Sequence, residues 1–243
     1  MNALQQMFVF AGAALCAGCV TGVDQREELD TGGPTEIIDP CRSLTDYEFE
    51  PVEDFELGIG RTFWVSSDGT GEMVPIPGRE PEASAIDGGR CGISAMALRM
   101  TARDMAIYGG AFGISFYPDG RDVSAFDGIS FWVKTAPGVG NTLMLSVSEQ
   151  HTDEYNGGRI RDGEPFCLEN TTDESEKCDR FSAGVGMGTE WRFVAVPFSA
   201  MQQRGYGKPA PFLDTAPLLG FQLGFETGDW DFWIDDIAFY RER

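Results

Sequence analysis

The stretch Trp230-Asp-Phe-Trp-Ile-Asp-Asp-Ile-Ala-Phe-Tyr240 decides the fold. Read as a strand, it is apolar at both parities. One face carries Trp230, Phe232, Ile234, Ala238 and Tyr240, and the other carries Trp233, Ile237 and Phe239. A strand with two apolar faces is packed on both sides, as at the centre of a sandwich. Asp235 and Asp236 interrupt it, although aspartate is depleted in strands. A buried carboxylate is costly unless it is hydrogen-bonded, paired or bound to a metal, so this pair has a structural or chemical task. Alternation sends the two side chains to opposite faces.

Outward from this strand the chain reads as further strands and loops with almost no helical periodicity. Candidate strands lie at 63–66, 94–101, 111–116, 129–135, 143–150, 191–198 and 219–226, ahead of the last at 231–240. Leu143, Leu145 and Val147 oppose Met144, Ser146, Ser148 and Gln150, while Leu219, Phe221, Leu223 and Phe225 oppose Gly220, Gln222, Gly224 and Glu226. Short alternating runs punctuated by Gly, Pro and Asp predict an all-β jelly-roll β-sandwich of two antiparallel sheets. One short helix is expected at 198–204.

The chain has 243 residues and a formal net charge of −21. That charge excludes nucleic acid and anionic lipid surfaces as natural partners. Residues 7–15 form an apolar run too short to span a bilayer as a mature helix, and it leads into Leu15-Cys-Ala-Gly-Cys19. This resembles a bacterial lipobox, which implies a signal peptide over 1–18, lipidation of Cys19 and a place in the bacterial cell envelope. An ordinary secretory peptide cut nearby is the alternative. Residues 19–44 are acidic and aromatic-free and read as a solvated tether, leaving 45–243 as one domain. Beyond Cys16 and Cys19, the remaining cysteines are Cys41, Cys91, Cys167 and Cys178. Export favours disulfides. Sequence permits three pairings; Cys167 with Cys178 is expected, since they flank one polar loop, and this leaves Cys41 with Cys91. Zinc is disfavoured because no two of these four cysteines form a CxxC and His151 is the only histidine.

Five segments, in order, resemble the galactose-binding-like jelly rolls related to family 11 carbohydrate-binding modules. They are 47–56 with Asp54-Phe55-Glu56, Phe63-Trp-Val-Ser-Ser-Asp-Gly69, Asp122-Val-Ser-Ala-Phe-Asp-Gly-Ile-Ser-Phe-Trp-Val-Lys134, Trp191-Arg-Phe-Val-Ala-Val-Pro-Phe-Ser199 and Phe232-Trp-Ile-Asp-Asp-Ile237. The resemblance implies a β-glucan-like polysaccharide held on a concave sheet, with aromatic rings stacked on sugars and polar groups on their hydroxyls. Trp64 and Asp68 fall on the strand that enters the family's cleft, where Ser66 replaces a frequent Tyr. Ser148, Gln150, Gln222 and Glu226 oppose apolar faces and so line a polar sheet surface, with His151 at the end of one strand. Tyr206 is a candidate rim aromatic. Trp132, Trp191, Trp230 and Trp233 sit among apolar neighbours and read as core. The resemblance also implies a structural calcium, for which Glu53, Asp54, Glu56, Asp235 and Asp236 are the candidate ligands. Hydrogen bonding of Asp235 or Asp236 to loop amides is the alternative.

No catalytic constellation stands out. A Ser-His-Asp arrangement would depend on His151, and no Gly-x-Ser-x-Gly precedes a helix. With 39 acidic residues some carboxylate pair always exists, so a glycosidase pair carries no information. The expectation is a monomeric, non-catalytic carbohydrate-binding module on a cell-surface lipoprotein, whose only membrane contact is its lipid anchor. A structural or adhesion lipoprotein that has lost glycan binding is the alternative, and a hydrolase accessory is a third reading.

Overall fold

The structure is a computed structural model that describes residues 44–57, 63–67, 94–117, 119–153, 166–169 and 171–243, with the backbone alone of 72–76 and 83–85. The signal segment, Cys19, nearly all of the tether, Asp68, and both Cys41 and Cys91 lie outside the described residues.

Among the described residues, twelve strands form two antiparallel sheets, as expected for a jelly-roll sandwich. The strands are β1 (Tyr47–Glu53), β2 (Phe63–Ser67), β3 (Glu72–Ile76), β4 (Ala83–Ala85), β5 (Met96–Met105), β6 (Gly110–Ser115), β7 (Gly128–Thr135), β8 (Thr142–Glu149), β9 (Phe181–Gly186), β10 (Arg192–Pro197), β11 (Leu218–Phe225) and β12 (Gly228–Glu242). One sheet runs β10-β7-β12-β5-β3, with β1 also on β12 and β4 on β5; the other runs β2-β6-β11-β8-β9. The core lies between them, where Phe112, Leu145, Val147 and Leu223 of the five-stranded sheet meet Phe131, Val133, Phe232, Ile234 and Phe239 of the seven-stranded one.

The deciding strand β12 is central, paired with β7 on one side. On its other side β5 pairs as far as Ile234, and β1 takes over from Ile237. Asp235 and Asp236 sit at that handover as a β-bulge. Asp236 has φ 48°, a left-handed conformation that Asp and Asn tolerate better than most side chains. Asp235 is fully buried, and its Oδ1 accepts a hydrogen bond from the Asp236 N–H at 2.8 Å. The extra residue reverses the parity. Trp230, Phe232, Ile234, Ile237 and Phe239 all belong to the inner core. This corrects the faces expected from simple alternation, which put Ile237 and Phe239 opposite Trp230.

The second apolar parity has its own partners. Trp233 joins Ala97, Trp132, Trp191, Phe193, Leu44 and Tyr47 in a cluster on the outer side of the seven-stranded sheet. The Lys134 Nζ lies 4.9 Å from both the Trp191 and Trp233 ring centres, and the Arg99 guanidinium lies 4.6 Å from that of Trp233. Arg99 is fixed in turn by Asp231 through two hydrogen bonds of 2.8 and 2.7 Å. Both faces of Trp233 are thus taken by cations, so this cluster is structural. Trp132, Trp191 and Trp230 are buried as expected.

The expected helix at 198–204 reduces to one 3-10 turn, Phe198–Ala200. Met201 enters the core, and Gln202 then bridges to Ser182 at the edge of β9. The edge strand supplies hydrogen-bond partners that a second helical turn would have taken from the chain itself.

Candidate functional site

The outer face of the five-stranded sheet is built from small residues. Inward-facing Phe63, Val65, Phe112, Ile114, Leu143, Leu145, Val147, Phe221, Leu223 and Phe225 fill the core. Alternation therefore turns Trp64, Gly113, Gln222, Ser146 and Ser182 outward. These five are successive cross-strand partners and form one row over β2, β6, β11, β8 and β9. A parallel row runs through Ser115, Gly220 and Ser148.

Trp64 lies down on this floor because its partner is glycine. A Cβ added at Gly113 would stand 2.6 Å from Trp64 Cζ2 and 2.8 Å from Cε2. One indole face is thus laid against the sheet, leaving Trp64 half-buried. Gln222 is next in the row and only partly covered, while the Ser146 and Ser182 hydroxyls lie deeper, at 7% and 9% exposure. An aromatic ring flat on a sheet, beside an amide and hydroxyls, matches the two sides of a pyranose: an apolar C–H face and a rim of hydroxyls.

The second row ends at a polar wall. Arg180 precedes β9, and its Nε donates to Ser148 Oγ at 2.9 Å. Its Nη2 hydrogen-bonds Glu169 Oε1 and lies 3.9 Å from Asp153 Oδ2. Tyr117, just past β6, has its phenol pushed upward by burial and by the neighbouring Asp153 carboxylate. Burial and the Asp179 charge raise that of Tyr206 as well. Tyr117 and Tyr206 keep 40% and 49% exposure, so both rings remain open to a ligand.

Two loops hold this wall. The Cys167–Cys178 disulfide, formed as expected, closes the first loop. The other runs from Met201 to Pro217. In it, the Arg204 and Gly205 N–H groups donate to the Asp179 carboxylate at 3.2 and 2.7 Å, and Gln203 Nε2 donates to the Asp179 carbonyl at 2.6 Å. Lys208 Nζ reaches Glu176 Oε2 at 2.8 Å and lies 5.0 Å from the Phe166 ring centre.

The structure separates the residues expected to bind ligand. Trp64, Gln222 and Ser148 share the outer face, and Tyr206 stands near its Arg180 end. Gln150 faces the second loop, where its Nε2 donates to Asp214 Oδ2 at 2.7 Å. His151 is wedged edge-on between Phe166 and Phe212, at ring distances of 5.2 and 5.5 Å. Glu226 is exposed past the far end of β11, away from Gln150 and His151. Sequence reading missed Tyr117, Asp153, Glu169 and Arg180, which topology brings together from four separate stretches. It also missed Tyr108, whose hydroxyl donates to the Ser67 carbonyl at 3.1 Å at the end of β2.

Three of the five expected calcium ligands accept hydrogen bonds near the end of β1. Glu56 Oε1 accepts from Ser94 Oγ, the Ala95 N–H and the Met96 N–H at 2.8, 2.9 and 3.1 Å. These donors hold the Glu56 carboxyl below its ordinary range. Glu53 Oε1 accepts from the Phe55 N–H and Asp54 Oδ1 from the Glu56 N–H, both at 3.1 Å. Among the described residues no three His, Cys, Asp or Glu side chains converge on one point.

No family model and no curated protein matches this sequence. Among solved structures, the family 11 carbohydrate-binding module of the cellulosomal cellulase Lic26A-Cel5E of Clostridium thermocellum is similar over 81% of this chain and 95% of its own, at 16% identity and a TM-score of 0.51. This chain shares the jelly-roll fold of these modules. A family 11 module from the same organism, in complex with a β-1,3-1,4-mixed-linked tetrasaccharide, is similar over 79% of this chain and 94% of its own, at 14% identity and a TM-score of 0.51. An exo-β-agarase reaches the same TM-score at 10% identity, over 79% of this chain but only 25% of its own. At these identities the likeness carries the fold alone.

Proposed function

We propose that this chain is a non-catalytic carbohydrate-binding module that takes a neutral, β-glucan-like polysaccharide across the outer face of its five-stranded sheet. The observation that carries the reading is Trp64 lying over Gly113, at the head of a row through Gln222, Ser146 and Ser182. At about 4.8 Å between neighbouring strands, that row spans roughly 19 Å, room for several sugar rings. The mixed-linkage tetrasaccharide held by a protein of the same fold supports the choice of ligand class. The test is retention of the full chain on insoluble polysaccharides and on a glycan array. Retention on one class of β-glucan supports the proposal, and no retention on any glycan overturns it. The adhesion reading keeps one observation in its favour: Ser66 stands exposed on β2, so Trp64 is the only aromatic of its strand's outer face.

The envelope location is proposed with it. Lipidation at Cys19 anchors a monomeric domain to the membrane, and Cys19→Ala is expected to move the protein out of the membrane fraction. A structural calcium at Glu53, Asp54, Glu56, Asp235 and Asp236 is a separate proposal. A melting temperature that falls with chelator supports it, and an unchanged one assigns these carboxylates to backbone capping alone.

A further inference from the structure

Glu149 is a carboxylate in an apolar place. It ends β8 at the parity of Leu143, Leu145 and Val147, opposite Leu218, and it is fully buried. Its Oε2 accepts from the His151 N–H at 3.0 Å and lies 2.9 Å from His151 Nδ1. Its Oε1 has no hydrogen-bond partner among the described residues. An ionised oxygen in that position is costly, whereas a neutral carboxyl is far less so. Burial accordingly pushes the Glu149 carboxyl above its ordinary range, against the lowering effect of His151.

What Glu149 holds is the wall. His151 is the ring against which Phe166, the residue before the disulfide loop, and Phe212 of the second loop both rest. Those loops position Glu169, and through it Arg180 and Ser148 on the ligand face. The charged groups nearby are Asp153 on the same turn, Arg180 just before β9, Glu169 and Glu176 from the disulfide loop, and Asp214 and Lys208 from the second loop. Each is engaged with a partner: Arg180 with Glu169 and Asp153, Lys208 with Glu176, and Asp214 with Gln150. Leu218 of β11 adds no charge.

We propose that Glu149 and His151 form a proton-dependent latch, in which closing the wall buries Glu149 with uptake of a proton, so that ligand is held more tightly in mild acid than in mild alkali. The direction follows from linkage: the state that raises a group's proton affinity is the state that protons favour. Glu149 and His151 are positioning residues here, since neither reaches the outer face.

This inference rests on the glycan-binding reading, and the experiment separates the two. Affinity of the full chain for mixed-linkage β-glucan is measured at about pH 5.5 and about pH 8, below and above neutrality. Hydrogen-exchange protection of the His151 amide, corrected for the intrinsic rate, is measured in parallel. The parent is expected to bind roughly fivefold or more tightly at the lower pH, within the 5–150-fold range of ordinary coupling, with a better protected His151 amide. Glu149→Gln keeps the acceptor oxygen and cannot ionise, so its affinity and its amide protection are expected to be equal at the two pH values. A parent whose affinity is independent of pH overturns the latch, as does a Glu149→Gln variant that keeps the parent's dependence. Absence of glycan binding at both pH values together with pH-dependent amide protection overturns the glycan reading and leaves the latch standing.

Discussion

Replacing Trp64 by alanine is the sharpest test of the ligand face. One side of the ring is laid against Gly113, so only the outward side is available to a sugar. Half of the roughly 150–250 Å² that an aromatic side chain can bury is about 100 Å². At ~25 cal/mol per Å² that face is worth ~2.5 kcal/mol as an upper bound, so a loss of about 2 kcal/mol in binding is expected, roughly thirtyfold in Kd. Calorimetric titration with a mixed-linkage tetrasaccharide gives the Kd, and electrophoresis through polysaccharide-loaded gels gives the same ranking for polymer. Trp64→Phe keeps a flat ring and is expected to recover most of the affinity. Because Trp64 sits on an outer face of edge strand β2, the melting temperature should fall by only a few degrees, on the order of the shift from ~1 kcal/mol. A Kd within twofold of the parent refutes the stacking argument. A collapse of the thermal transition refutes the placement of Trp64 as a surface platform.

Three further outcomes follow from other parts of the molecule. Asp236 has φ 48°, so Asp236→Val should lose about 1–3 kcal/mol from a β-branched side chain forced into that region, read by denaturant unfolding. Replacing Cys167 and Cys178 together by serine opens a loop of sequence separation 11 and should lower stability by about 2–4 kcal/mol; ligand affinity should fall as well, because Glu169 loses its hold on Arg180. Glu149 has a raised carboxyl pKa in the fold. Its stabilising effect is therefore full below the unfolded-chain value and is lost as pH rises through the folded one. Glu149→Gln should gain on the parent as pH climbs from the ordinary carboxylate range to neutrality, and parallel curves of melting temperature against pH would refute this.

Most of the sandwich was legible because alternation reports which side of a strand is buried. From Leu143 to Ser148 on β8 and from Phe221 to Phe225 on β11 both faces were read correctly, since Leu-x-Leu-x-Val and Phe-x-Leu-x-Phe leave one interpretation, whereas Gln150 and Glu226 fall beyond the strand ends. β9 escaped because Phe-Ser-Ala-Gly-Val-Gly is too small in side chain to show an apolar period. The faces of β12 were misread for a different reason: a bulge adds one residue without any mark in the pattern, and the Asp235-Asp236 pair signalled something unusual without saying that it was a change of register. Within the site, Ser148 and Gln222 could be found because each opposes an apolar neighbour on its own strand, and Trp64 because its segment resembles the strand that enters the family's cleft. Arg180, Tyr117, Asp153 and Glu169 lie outside strands, where no period exists, and their meeting is decided by which strand ends the topology brings together.

The glycine and serine floor has a consequence for how binding would proceed. Gly113 and Gly220 have no side chain to immobilise, and Ser146 and Ser182 turn about one bond each, already fixed by their burial. Ordering a long, flexible side chain on association costs about 0.5–1.5 kcal/mol, and in the row from Trp64 to Ser182 Gln222 alone is of that kind. Nearly all of the entropy lost on association would then belong to the polysaccharide. Stiff, extended chains would be selected over supple ones of the same composition, by a surface that reads rigidity as well as chemistry.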